Sequence, residues 1–201
     1  MLSVLGIAVG GLIGFLSGVF AGPLREVLFK ARLQLTFSAA EDCISKTSET
    51  TLIVADDPET ASSRKAIYLR VRVTNKKRKI AKSCIAYLTN IEKDDGKGKF
   101  EPTIYSDSIQ LAWSCRGPTA YSEIDIPYGV SQYIDVLKTH DEQNDVFPQW
   151  QFTPNRYFPL FSKIGRYRLT VQVSGDGVDP ATVKLIFVWK GQWDTFEAHR
   201  A

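Results

Sequence analysis

The residues able to do chemistry are few. The chain has two histidines, His140 and His199, and three cysteines, Cys43, Cys84 and Cys115. No Cys-x-x-Cys pair, G-x-S-x-G turn, H-E-x-x-H helix or P-loop spacing occurs, so the sequence assigns no catalytic residue and calls for no cofactor. The stretch His140-Asp141-Glu142-Gln143-Asn144-Asp145 offers oxygen ligands of the kind calcium uses, but not the spacing of an EF-hand loop. The same holds for Asp176 and Asp179. All of these read as solvated loops, and no metal site is expected.

Charge is the stronger local signal. Arg64, Lys65, Arg70, Arg72, Lys76, Lys77, Arg78, Lys79 and Lys82 place nine cations in 19 positions without an acid. Three chemistries suit such a run. One is a solvated turn whose edge lysines block aggregation. Another is contact with anionic lipid headgroups, each cation contributing roughly 1 kcal/mol near the surface. Nucleic acid is the third and is not expected, because it also needs stacking aromatics, for which only Tyr68 and Tyr87 stand nearby. In a meander the strand that starts at Arg32 leaves the membrane and the strand at Ala66 returns, which would turn the Lys76–Lys79 tip toward the membrane. An extra strand near Thr51–Ala55 would reverse that parity.

The elements that position these residues follow from hydropathy. The whole chain, 201 residues at 44% apolar, 23% charged and net +3, has the totals of one globular domain. The average conceals an asymmetry: residues 2–22 carry no charge at all. As a helix they would extend roughly 31 Å, the thickness of a bilayer's hydrocarbon core. A cleaved signal peptide ending near Val19-Phe20-Ala21 is the alternative, but no basic residue precedes the run. The expectation is a retained transmembrane anchor over 1–22, followed by a juxtamembrane helix over 23–31 in which Leu24, Val27, Leu28 and Ala31 recur at helical spacing behind Pro23. Arg25, Lys30 and Arg32 outweigh Glu26, which predicts a single-pass inner-membrane protein with its C-terminal domain in the cytoplasm. An odd number of cysteines without paired spacing agrees with a reducing compartment; one disulfide plus a free thiol on the outside is the other option.

Gly6, Gly10, Gly14, Gly18 and Gly22 repeat every fourth residue. They would line one face of the helix, where small residues let two backbones approach in lipid. The span resembles glycine-zipper membrane helices, which implies self-association or docking on a partner's helix.

From residue 32 onward the period is two. Leu33, Leu35 and Phe37 alternate with polar residues, as do Ile67, Leu69, Val71 and Val73. Ile80–Ile91 is a further strand, and Ile109, Leu111 and Trp113 alternate again. Glu123–Ile126, Ser131–Leu137, Tyr167–Val173 and Val183–Trp189 complete the set, with turns at Asn75–Lys79, Asp94–Gly96 and Ser174–Gly177. Seven or eight strands and no helical period predict an all-β antiparallel sandwich over 32–201. The polar stretch Thr139–Asn155 reads as one long loop. Phe187 and Trp189 are expected in the core, while Trp193 and Phe196 near the chain end could instead meet a partner protein.

Two stretches carry a family resemblance. Tyr68-Leu69-Arg70-Val71-Arg72-Val73-Thr74-Asn75 with Ala81 and Cys84 resembles the B-to-C hairpin of immunoglobulin-like bacterial modules. Ile164-Gly165-Arg166-Tyr167-Arg168-Leu169-Thr170-Val171-Gln172-Val173 resembles their penultimate strand. The layout resembles uncharacterised bacterial proteins that join an N-terminal anchor to such a sandwich. The resemblance implies an immunoglobulin-like fold and a bacterial inner-membrane setting, and no activity; the Cys-Trp-Cys arrangement of antibody domains is lacking. The function expected is that of a membrane-anchored, non-enzymatic interaction or scaffold module with a self-associating span. The alternative is a membrane-disrupting effector whose glycine-faced spans cluster on a signal sensed by the β domain.

Overall fold

The computed structural model describes residues 30–40, 42–52, 61–141, 143–152, 154–195 and 197–201. The span over 1–22 with its glycine ladder, Pro23, Arg25 and Phe196 lie outside them. Among the described residues no helix is long and apolar enough to cross a membrane.

Alternation decides the architecture. In β3 (Ala61–Asn75) Ile67, Leu69, Val71 and Val73 are buried while Tyr68, Arg70 and Arg72 turn to the other face. The strands are β1 (Leu33–Thr36), β2 (Ile44–Leu52), β3, β4 (Ala81–Asp94), β5 (Phe100–Pro102), β6 (Ile109–Gln110) and β7 (Ala112–Trp113). Then follow β8 (Ile124–Ile126), β9 (Ser131–His140), β10 (Gln143–Pro148), β11 (Gly165–Asp176), β12 (Val178–Trp189) and β13 (Glu197–Arg200). They form two antiparallel sheets in a sandwich-like, all-β arrangement. One has the order β1-β3-β9-β10, with β2 also on β3 and β7 also on β9. The other runs β13-β12-β11-β4-β5, with β6 and β8 also on β4. The inner faces meet in a single core that includes Trp113, Tyr167, Phe187 and Trp189.

Edge positions are shared by short strands in tandem. β1 pairs with the end of β3 (Leu33 with Asn75) and β2 with its beginning (Leu52 with Ala61), so the two run the same way along one edge. The alternation Ile109, Leu111, Trp113 is real, but it is not one strand. β6 pairs with β4 in one sheet, β7 pairs with β9 in the other, and the fully buried Leu111 is the crossing point.

Several expectations need correction. Strands are more numerous than seven or eight, because short edge strands carry too few residues to alternate. Thr139–Asn155 is not a loop: β9 extends to His140 and β10 returns along it. His140 is therefore a buried strand residue, with its ring 5.4 Å from that of Phe147. Ala31 does not lie on a helix. It is buried and forms a parallel bridge to Val178. Residues 165–173 lie in β11, with β12 and β13 after it.

Candidate functional site at the basic end of the sandwich

The β3–β4 turn gathers the cations. Lys76, Lys77, Arg78 and Lys79 form its exposed tip. Four exposed cations in succession would repel one another and splay, unless the backbone beneath them were held. Asn75 holds it. Its side chain is fully buried, and its amide nitrogen donates to the carbonyls of Lys79 (2.7 Å) and Ile126 (2.9 Å). Its amide oxygen accepts from the Lys77 backbone N–H at 3.1 Å. The Asn75 carbonyl accepts from Gly129 N–H at 2.8 Å, tying in the loop that precedes β9. The tip is thus a fixed platform.

The same turn meets the start of the β domain. Lys76 N–H donates to the Arg32 carbonyl at 2.8 Å. Because β2 continues the direction of β1, it does not reverse the parity, and the tip lies at the end of the sandwich where residue 30 lies. Lys30 and Arg32 therefore join Lys76, Lys77, Arg78 and Lys79 at one end. The acids there are few: Asp179 pairs with Lys30 at 2.9 Å, Asp125 accepts from the Ser83 N–H at 3.0 Å, and Asp176 is exposed in the β11–β12 turn.

Apolar side chains stand among these cations. Ile80 is 44% exposed, Tyr128 56% and Val130 37%. Ile80 follows the tip, and Tyr128 bridges Asn75. Two other exposed apolar residues, Ile104 and Ile164, belong to the opposite end, beyond β5 and just before β11. A surface combining cations with an exposed aromatic and two aliphatics is chemically suited to the headgroup zone of an anionic bilayer, where charge attracts and apolar tips insert.

Beside the tip, β1 and the first residues of β12 flank a cleft of about 430 Å³. Lys30, Arg32, Gln34, Lys77, Thr182 and Arg200 are among the residues that line it, with Asp179 on its rim. Arg200 comes from β13 at the far end of the sequence, and no charge pattern near it suggests this placement.

A second polar cluster occupies the outer face of β2, β3 and β9. The Glu49 carboxylate accepts from Tyr68 Oη, from Arg64 Nε at 3.3 Å and from Lys138 Nζ at 3.2 Å, and His140 Nδ1 lies 3.9 Å away. Burial pushes its acidity down, but the donors from Tyr68, Lys138 and Arg64 and the Lys138 charge outweigh burial and hold its pKa below the ordinary carboxylate value. Burial and the neighbouring carboxylate push Tyr68 far above the usual phenol range. Beside it Asp135 accepts from Arg70 Nε at 2.7 Å and from Ser114 Oγ at 2.5 Å. Each carboxylate is met by several donors, which suits a tie between strands better than a reacting group. Sequence reading missed this cluster because Glu49 sits in a polar run without periodicity.

The remaining candidates fall apart in space. His140 belongs to the Glu49 cluster, and His199 is exposed on β13. Among the described residues no group of three His, Cys, Asp or Glu side chains could hold a metal ion. Cys43 and Cys84 are buried and Cys115 is exposed, and none of the three is in a disulfide; burial pushes Cys84 up to about 11. Trp193 is half-buried against the core, and its carbonyl accepts from Thr139 Oγ1 at 3.2 Å. No protein-family model and no curated protein matches the chain.

Proposed function

We propose that the protein is a membrane-anchored, non-enzymatic interaction module whose β domain rests its basic end on an anionic bilayer. One observation carries this reading: Lys30, Arg32 and the Lys76–Lys79 tip converge at the end of the sandwich where residue 30 lies, together with exposed Ile80, Tyr128 and Val130. The uncharged run over 1–22 supplies the single span, and the basic flank at Arg25, Lys30 and Arg32 favours the cytoplasmic side of a bacterial inner membrane. The glycine ladder Gly6–Gly22 brings spans together, as a homo-oligomer or with a partner's helix, and the exposed sandwich surfaces receive a protein partner. The order β1-β3-β9 facing β12-β11-β4, with the parallel bridge Ala31–Val178, supports an immunoglobulin-like arrangement in which β3 and β4 take the B and C positions.

The test uses the full chain in lipid nanodiscs. An environment-sensitive dye is placed on Ile80→Cys, and for comparison on Ile164→Cys, both in a Cys115→Ser background. With phosphatidylglycerol present the Ile80 label shifts to the blue and the Ile164 label does not. In neutral phosphatidylcholine, or when Lys76–Lys79 are changed to Gln, the shift is lost. Equal spectra in both lipids would overturn the docking. Gly10→Leu with Gly14→Leu reduces the cross-linked oligomer ladder; an unchanged ladder would remove self-association through the span.

A further inference from the structure

The cleft between β1 and β12 is distinct in its chemistry from the flat tip beside it. We infer that it is a binding site for a phosphomonoester group. The inference rests on the reading of this end as membrane-facing, and gives that surface a preferred headgroup.

Concave shape comes first. The cleft opens beside β1, where β12 has β11 along one edge but, past the Ala31–Val178 bridge, no strand along the other, since β13 pairs only with Leu185–Val188. The gap, about 430 Å³, falls in the range of small-ligand sites. A phosphate group with its first ester linkage is much smaller, so it enters without displacing the walls.

The donor set comes second. Arg32 and Arg200 enter from opposite walls, Arg32 from the strand leaving the N-terminal segment and Arg200 from β13. Neither has a described carboxylate within ion-pair distance. Guanidinium groups present paired N–H donors that match two phosphate oxygens at once. Lys30 and Lys77 add two ammonium groups, and the Thr182 hydroxyl and Gln34 amide add neutral donors. Against these stands one acid, Asp179, whose carboxylate is 2.9 Å from Lys30 Nζ and whose side chain is 81% exposed. Being exposed, that carboxylate holds Lys30 only weakly against an incoming anion. Four cations and one acid leave a net charge of +3.

Charge then selects the ester. A phosphomonoester carries about −1.5 to −2 at neutral pH, whereas a phosphodiester headgroup carries −1. Only the first neutralises most of the cleft. The flat tip, with no concavity, attracts any anion in proportion to its charge. Selectivity for the monoester therefore belongs to the cleft and general anion attraction to the tip.

The experiment separates the two. Full-length protein in neutral nonionic detergent is titrated with short-chain phosphatidic acid, with short-chain phosphatidylglycerol and with inorganic phosphate, by calorimetry. Phosphatidic acid is expected to bind at least tenfold more tightly than phosphatidylglycerol. Arg32→Gln with Arg200→Gln, both exposed and outside the core, lowers phosphatidic acid binding at least tenfold and removes the preference. Arg78→Gln, on the tip, weakens both lipids alike and keeps it. Inorganic phosphate competing at similar affinity identifies the ligand as a free phosphate; phosphate failing to compete identifies it as the lipid headgroup; either supports the site. Equal binding of the two lipids, or a preference unchanged in the double variant, overturns it. In those cases the Ile80 dye shift decides separately whether the end still docks on anionic membrane.

Discussion

Changing Asn75 tests whether the basic tip is a fixed platform. Its amide group makes three hydrogen bonds inside the turn, to Lys79 O, Ile126 O and Lys77 N. They are unequal. Ile126 is fully buried, so without Asn75 its carbonyl loses its partner away from water, at a cost of about 2 kcal/mol. Lys77 and Lys79 are exposed, and water replaces most of what their backbone groups lose, about 0.5–1 kcal/mol each. Asn75→Ala is thus expected to destabilise by about 3 kcal/mol, lowering the thermal midpoint by about 6–12 °C for a domain of this size. Asn75→Asp keeps the shape and one acceptor but turns a carboxylate oxygen on the two carbonyls. It is expected to cost at least as much as alanine. Thermal unfolding of the full chain in nonionic detergent, followed by tryptophan fluorescence, measures both. An Asn75→Asp variant within about 1 kcal/mol of the native protein would refute the reasoning, because the amide donors would then carry nothing.

Other outcomes follow from local chemistry. Glu49 has a folded-state pKa below its unfolded value, so its stabilisation is complete above the unfolded value, about 4.3, and is lost as pH falls through the folded one. The gap in urea midpoint between native protein and Glu49→Gln should therefore be constant from about pH 8 to 6 and close below about pH 4; a gap that widens in acid would contradict this. A Cβ added at Gly175 would lie 2.5 Å from the Lys82 carbonyl oxygen, a backbone atom that cannot swing away. Gly175→Ala should thus cost about 1–3 kcal/mol in a urea melt, and a neutral effect would show that β4 and β11 can move apart there. Maleimide treatment followed by intact-mass measurement should add one label, at Cys115, to the native protein and three after unfolding; more than one label on native protein would mean that Cys43 or Cys84 is accessible.

How much was legible in the sequence depended on strand length. β3, β11 and β12 run for 15, 12 and 12 residues, long enough for the alternating Ile, Leu and Val to declare both strand and buried face. β2, with Thr47, Ser48 and Glu49 along it, sits at a sheet edge and needs no apolar stripe, so its sequence reads as a polar linker. In β4 the spacing from Leu88 to Ile91 breaks the period of two, because a bulge at Thr89 lets both residues face the core. The cationic run was visible as composition, but its place beside Arg32 comes from the pairing of β1 with the end of β3. Its apolar companions Tyr128 and Val130, and Arg200 across the cleft, come from segments far apart in the chain. The contacts of Asn75 with the 128–130 segment, the pairing of β1 with β3 and that of β12 with β13 bring them together, and no local pattern encodes such a meeting.

The crossing at Leu111 has a consequence for how the domain comes apart. Leu111 N–H donates to Ala86 O in one sheet at 2.9 Å, and the next residue, Ala112, donates to Gln149 O beside the other sheet at 3.0 Å. Adjacent amides thus belong to different layers, joined by one peptide bond with a fully buried side chain between them. Neither layer can peel away while the other stays intact, because the shared segment would have to leave both. The two layers therefore open as one cooperative unit, and in hydrogen exchange these two neighbouring amides are protected to the same free energy.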